Sequence, residues 1–201
     1  MEIRDLRVLA LVVSVMVVIQ MLLTPFVLFA PPFFPELYPI VDSDMPTGPA
    51  LMFTFAALGI TLLTWMVFGR WIYLAGQNLV DAGYQNLEFT PAARIWWFAV
   101  PIANFYKPFQ GMRELWNASH GHDDYSGQTA SLVAMWWALW LLSGFLGLGL
   151  ELFAGSAAGL TSDWINVVLE VALAIVAIAM VRRITEAQTQ LSDTRLAEVF
   201  A

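Results

Sequence analysis

The chain has 201 residues, of which 59% are hydrophobic and only 12% are charged, about half the charged fraction usual in a soluble domain. So much apolar surface exceeds what a core of this size can bury, so the composition predicts a single membrane domain over residues 1–201. The net charge of −7 excludes a nucleic-acid partner, and the absence of cysteine excludes disulfides, thiolate chemistry and iron–sulfur sites.

Four apolar runs are long enough to cross a lipid bilayer as helices. The first covers residues 8–30, and its length indicates a retained anchor rather than a removed signal peptide. The second covers residues 50–69 and continues to residue 82 as an amphipathic helix. The third covers residues 132–153 and the fourth residues 164–181. The predicted fold class is therefore all-α, an integral membrane four-helix bundle.

The positions of the basic residues predict the orientation of these helices. All nine Lys and Arg residues lie before the first span, between the second and third, or after the fourth. The connections at residues 31–48 and 154–163 contain none. The positive-inside rule therefore places the N- and C-termini in the cytoplasm. Beyond the fourth span, residues 182–201 are expected to form an amphipathic cytoplasmic tail, with Ile184, Ala187 and Leu191 at helical spacing.

The cytoplasmic connection at residues 83–128 contains a broken helical element. Thr90-Pro91 is a helix start, because an N-cap side chain precedes a proline at the first position. The apolar stretch 95–102 is too short to cross a bilayer, and a break is expected from Pro101 to Asn104. An amphipathic helix is expected over residues 108–118. The element either lies flat at the cytoplasmic interface or dips into the membrane and returns, a re-entrant arrangement.

This central segment resembles the domain of unknown function 4328 family of bacterial membrane proteins. The resemblance covers residues 70–119 in its motifs, and the four-span layout extends it over most of the chain. The Arg182-Arg183-Ile184-Thr185 run with Gln188 also resembles how such proteins end. The motif residues are Trp71, Tyr73, Asn78, Gly83, Phe89, Pro91, Trp97, Pro101, Asn104, Pro108, Met112 and Glu114. The resemblance implies location in the bacterial inner membrane and brings no catalytic residue or cofactor with it.

Four polar residues of the central segment form a candidate cluster: Asn78, Arg94, Asn104 and Glu114. One interpretation is that they hold the broken element against the base of the spans, with Arg94 and Glu114 paired and the asparagines satisfying backbone groups freed by proline. The alternative is that they line a cytoplasm-facing pocket for a small ligand or a lipid headgroup.

Glu170 is the most conspicuous residue of the fourth span, because it lies about 10 Å into the membrane from Asp163 at the usual helical rise. An ionised carboxylate at that depth costs about 3 kcal/mol on insertion scales, so it is expected to face the protein interior or to be protonated. Its functional interpretations are proton or cation binding and contact with a basic residue of another subunit. The structural alternative is a protonated carboxyl bonded to Ser143, Gln20 or Thr24.

His120 and His122 are weak candidates for a metal site, together with Asp123 and Asp124. Two histidines on a glycine loop need further ligands from elsewhere, so a solvated loop is the simpler interpretation. No phosphate-binding glycine loop, zinc-binding helix motif or nucleophile elbow is present in the sequence. No cofactor is predicted.

The sequence favours a non-catalytic membrane protein that acts as an accessory, assembly or stabilising subunit of a larger inner-membrane complex. Its expected partners are the lipid bilayer and membrane-protein subunits. The alternative is a protein that binds a small solute, an ion or a lipid through Glu170 and the Pro101–Asn104 break. A metal-dependent membrane enzyme using His120 and His122 is the remaining hypothesis.

Overall fold

A computed structural model describes residues 3–29, 48–153 and 159–200. These residues form helices, turns and loops and contain no strand, which confirms the all-α class. A 3₁₀ turn at Ala103–Phe105 separates the third and fourth helices. The helices are α1 (Arg7–Phe29), α2 (Pro49–Asp81), α3 (Ala93–Trp96), α4 (Lys107–Ser119), α5 (Ser131–Phe153) and α6 (Gly159–Phe200).

The helix bounds agree closely with the apolar runs of the sequence. Helices α1, α2 and α5 begin and end within one residue of the predicted spans and extension. Helix α6 is longer than its predicted span, because it begins at Gly159 and continues without interruption through the predicted amphipathic tail. The connections at residues 30–47 and 154–158 lie outside the described residues.

Both ends of α2 follow from local sequence. Gly48 adopts a φ of 55° immediately before Pro49, which occupies the first helical turn. At the other end Gly83 adopts a φ of 77°, a conformation that side chains disfavour. The N–H groups of Gly83 and Tyr84 donate to the carbonyl groups of Val80 and Leu79, which is a Schellman cap. The chain therefore leaves α2 at a defined point and turns back toward α3.

The helices pack around α6 and α4. Helix α1 packs against α2 and α6, while α5 packs against α6. The short helix α4 contacts α2, α5 and α6 at the end of the assembly where the central segment lies. The buried core is concentrated at this end, and its largest fully buried side chains include Trp71, Ile72, Leu79, Met112 and Leu115.

Two helices have the length and composition needed to cross a membrane: α2 over Leu51–Asp81 and α6 over Trp164–Leu191. Only 6% of the most apolar stretch of α2 is buried, and 28% of that of α6. The apolar stretches Arg7–Leu23 and Ser131–Leu146, in α1 and α5, are shorter within the side chains that the structure describes. The predicted membrane class is therefore supported by two helices.

Candidate functional site

The broken element is built from residue types that stop and restart helices. Thr90 Oγ1 accepts a hydrogen bond from the Ala93 N–H at 3.1 Å and so stabilises the turn that leads into α3. The helix itself begins at Ala93, two residues after the start predicted at Pro91. Helix α3 ends at Trp96, and turns lead through Pro101 to the 3₁₀ turn. Helix α4 then begins at Lys107, with Pro108 in its first turn. Its buried face carries Glu114 toward α3.

Arg94 and Glu114 form a buried ion pair. Arg94 Nη2 donates to Glu114 Oε1 at 2.5 Å, and the two residues are only 1% and 5% exposed. Glu114 also accepts the backbone N–H groups of Glu88 (to Oε2, 2.5 Å) and Phe89 (to Oε1, 3.2 Å). Arg94 Nε donates to the Gly111 carbonyl at 3.4 Å. One carboxylate thus joins α3, α4 and the loop that follows α2.

The environment of Arg94 explains how a guanidinium is accommodated there. Burial lowers the pKa of Arg94 from its usual value, while the charge of Glu114 and its hydrogen bond raise that pKa again. Arginine remains protonated in proteins, so the contact is ionic. Arg94 Nη1 lies against the backbone of α2 at Gly76, where a Cβ atom would stand 2.5 Å from it and 3.3 Å from Pro91 Cα. Gly76 therefore provides the space into which Arg94 fits.

Replacing Gly76 by alanine is expected to destabilise the protein, even though alanine favours helix by about 1 kcal/mol. The added methyl displaces Arg94 or Pro91, and overpacking of this kind costs about 1–3 kcal/mol. Thermal unfolding in detergent measures the change. Gly59→Ala in the same helix is the matched control, because no atom lies within 4 Å of its Cβ position. A higher melting temperature for both variants would contradict this account.

Asn78 belongs to a second buried network. Its Oδ1 accepts the Arg4 N–H at 3.0 Å, and its Nδ2 donates to the Arg4 carbonyl at 2.9 Å and to Gln188 Oε1 at 3.1 Å. The Arg4 side chain pairs with Asp81 at 2.8 Å. A single 1%-exposed amide therefore fastens the segment before α1 to α2 and α6.

Gln188 extends this network to α4. Its Nε2 donates to the Ala75 carbonyl and to Ser119 Oγ, both at 3.0 Å. One turn earlier on α6, Thr185 Oγ1 accepts the indole N–H of Trp71 at 3.1 Å. The contacts of Gln188 with Ala75 and of Thr185 with Trp71 join residues more than 100 positions apart, so they fix how α6 lies against α2.

The structure divides the predicted polar cluster. Arg94 and Glu114 come together, whereas Asn78 lies in the network of Arg4 and Gln188. Asn104 lies in the break, where its N–H donates to the Val100 carbonyl and its buried Oδ1 has no hydrogen-bond partner within the described part of the chain. Arg4 is not among the predicted site residues, because a basic residue before a membrane span indicates only its orientation. Arg4 and Asn78 are 74 positions apart in the chain, so no sequence pattern predicts their contact.

The break runs alongside α5. The ring of Phe98 meets Trp140 edge-on at 6.4 Å between centroids, and Phe105 in the 3₁₀ turn stacks on Phe145 at 5.7 Å. Phe145 lies beyond the midpoint of α5, about 20 Å from its start at 1.5 Å per residue. The broken element therefore reaches well along α5 rather than remaining level with its first turn.

The remaining candidates lie apart from these networks. Glu170 is half-buried on α6. His120 stacks on Trp116 at 4.3 Å, its Nδ1 lies 2.8 Å from the Trp116 carbonyl, and His122 is exposed. Hydrogen bonds from Ser126, first through its backbone and then its hydroxyl, and from the Gly127 N–H lower the pKa of Asp124. Among the described side chains, no three His, Asp or Glu groups are arranged to hold a metal ion.

Comparison with known proteins identifies one family. The model of the family described as domain of unknown function (DUF4328) matches residues 48–186, well over half of the chain. The chain belongs to the DUF4328 family. No curated protein and no solved structure matches it.

The DUF4328 match begins at Gly48 and ends at Glu186, so it contains α2 to α5 and most of α6. The Arg94–Glu114 pair lies wholly within it. Both partners that the Asn78 side chain contacts, Arg4 and Gln188, lie outside it. The ion pair is thus internal to the DUF4328 region, whereas the second network fastens flanking segments onto that region.

Proposed function

We propose that this chain is a non-catalytic integral membrane protein that serves as an accessory, assembly or stabilising subunit of a larger inner-membrane complex. In this proposal it crosses the bilayer four times, and both termini are cytoplasmic. The observation that carries the proposal is that the buried polar residues of both networks form hydrogen bonds within the protein. Both carboxylate oxygens of Glu114 are occupied by internal donors, and Asn78 and Gln188 bond one another and the backbone. Polar groups engaged in this manner maintain a structure rather than act on a substrate.

The four-span arrangement is supported by the exposed surface of the long helices. Each of the four long helices α1, α2, α5 and α6 has exposed large apolar side chains, among them Leu11, Phe55, Trp65, Phe145 and Val168. A core helix of a soluble protein would bury such residues, whereas a bilayer covers them with lipid. The alternation of basic and non-basic connections supplies the orientation.

A re-entrant central element is supported by its contacts with α5. If α5 begins at the cytoplasmic surface, the stack of Phe105 on Phe145 supports a position of the 3₁₀ turn at membrane depth. Irregular backbone at that depth requires protein around it. On one side α3 packs against α2 and α4, the 3₁₀ turn packs against α4, and two aromatic contacts join the element to α5. On the other side Trp96 and Ile102 are 69% and 79% exposed. This surface is available to lipid or to a neighbouring subunit.

Labelling of introduced cysteines tests the topology, since the natural chain contains none. We expect Ser43→Cys to react with a membrane-impermeant maleimide on intact spheroplasts. Ser126→Cys should react only after permeabilisation, and the cysteine-free parent provides the background. Labelling of Ser126→Cys in sealed cells would contradict the arrangement.

Recovery of the natively expressed protein tests the subunit role. Cross-linking followed by extraction in mild detergent is expected to give a particle of defined stoichiometry larger than the 22.4 kDa chain, with other membrane proteins in it. A monomer without partners in cross-linked and uncross-linked samples would contradict the proposal.

A further inference from the structure

An open groove of about 630 Å³ lies between α2 and α3. Its apolar wall consists of Leu62, Trp65 and Met66 on one side and Ile95 on the other. Gly69 forms part of the floor, because its Cβ position lies 3.9 Å from Ile95 Cγ2 and meets no other atom within 4 Å. The groove exists because a residue without a side chain stands where α3 crosses α2.

One end of the groove carries a positive charge. Arg70 is exposed there, and its guanidinium carbon lies 5.9 Å from the centre of the Tyr73 ring. Within the described side chains, no carboxylate lies within 4 Å of Arg70, whereas Arg4, Arg94 and Lys107 each have one. Among the side chains that the structure describes, Arg70 is therefore a cation without a paired anion, next to the apolar wall of the groove.

The groove has a defined direction in the proposed membrane. The indole N–H of Trp71, the residue after Arg70, donates a hydrogen bond to Thr185 Oγ1. Arg70 therefore lies level with the Arg182-Arg183 end of the fourth span. Leu62 precedes Arg70 by eight residues, or about 12 Å along α2 toward the bilayer centre. The charge consequently lies at headgroup height on the cytoplasmic side, and the apolar wall extends from it into the hydrocarbon region.

We propose that this groove binds one anionic phospholipid of the cytoplasmic leaflet. Arg70 binds the headgroup phosphate, and one acyl chain lies against Leu62, Met66 and Ile95. Arginine suits phosphate because its planar fork donates two parallel hydrogen bonds. A free phosphate would use the charge alone and leave the apolar wall unexplained. The inference rests on the membrane arrangement proposed above.

Native mass spectrometry of detergent-extracted protein tests the site. With phosphatidylglycerol titrated against phosphatidylcholine, the protein is expected to retain phosphatidylglycerol preferentially. Arg70→Gln should weaken its retention about fivefold, the effect of about 1 kcal/mol per basic residue at a membrane surface. Arg183→Gln is the matched control, because Arg183 is exposed and basic at the same level but does not line the groove. Equal retention by the parent and Arg70→Gln would overturn the proposal.

Gly69→Leu tests the apolar part independently. Its side chain would fill the groove while leaving Arg70 in place, so the expected result is reduced retention of phosphatidylglycerol with an unchanged melting temperature in the absence of lipid. Inorganic phosphate is the second probe, and stabilisation by millimolar phosphate equal to that by phosphatidylglycerol would overturn the lipid assignment. Recovery of folded protein without detergent would instead contradict the membrane arrangement itself.

Discussion

Replacing Glu114 by alanine is expected to lower the free energy of unfolding by about 3–5 kcal/mol, the usual effect of removing one partner of a buried ion pair. Arg94, 1% exposed, would retain its charge without a counter-ion. The N–H groups of Glu88 and Phe89 would lose their acceptor at the same time. Because the carboxylate joins the loop after α2 to α3 and α4, we expect the loss to loosen the whole broken element.

Chemical unfolding in detergent micelles, followed by tryptophan fluorescence, measures this change. Glu88→Gln is the control, because Glu88 also forms an ion pair, with Lys107 at 3.0 Å, but its side chain is 60% exposed. Exposed ion pairs contribute only about 0–1 kcal/mol. The double variant Arg94→Met with Glu114→Leu should be more stable than Glu114→Ala, since no buried charge remains in it. If Glu114→Ala were as stable as Glu88→Gln, the ion pair would not have the structural role assigned to it.

Replacing Gln188 by leucine is expected to lower the free energy of unfolding by about 2–3 kcal/mol. Leucine has a similar size, so the change isolates the hydrogen bonds to Asn78, Ala75 and Ser119. Each buried polar group left without a partner costs about 1–3 kcal/mol, and relaxation recovers part of this. Since Asn78 also holds the Arg4 backbone, the segment before α1 should become accessible to protease.

Limited proteolysis near Arg4 and thermal unfolding measure these effects together. Gln85→Leu, the same change at an exposed position in the loop after α2, is the control and should alter the stability by less than about 0.5 kcal/mol. Equal sensitivity of the two variants to protease would show that Gln188 does not secure the N-terminal segment.

The elements that the sequence predicts well are those determined by local chemistry. An apolar run bounded by polar residues or by Pro and Gly dictates where α1, α2 and α5 begin and end. Pro108 marks the start of α4 for the same reason, whereas Thr90 precedes a turn and α3 begins only at Ala93. The pairing of Arg94 with Glu114 follows from the need to neutralise charge within one short segment.

What the sequence could not predict depends on long-range packing. The sequence predicts a cluster of Asn78 with Arg94, Asn104 and Glu114, yet the Asn78 side chain contacts Arg4 and Gln188, which are 74 and 110 positions away. The spacing of apolar residues predicts an amphipathic helical tail beyond Arg183, but its attachment through Gln188 depends on how α6 crosses α2 and α4. The groove at Arg70 likewise required knowledge of where α3 passes over Gly69.

The uninterrupted course of α6 has a mechanical consequence. Its 42 residues contain no proline, and no glycine after Gly159, so they form a rod about 63 Å long, roughly twice the hydrocarbon thickness of a bilayer. A sideways load on its C-terminal end cannot be absorbed by a hinge within the helix. The hydrogen bonds of Thr185 and Gln188 hold this part of α6 against α2 and α4, so we expect a displacement of the C-terminal end to tilt the segment that contains Glu170.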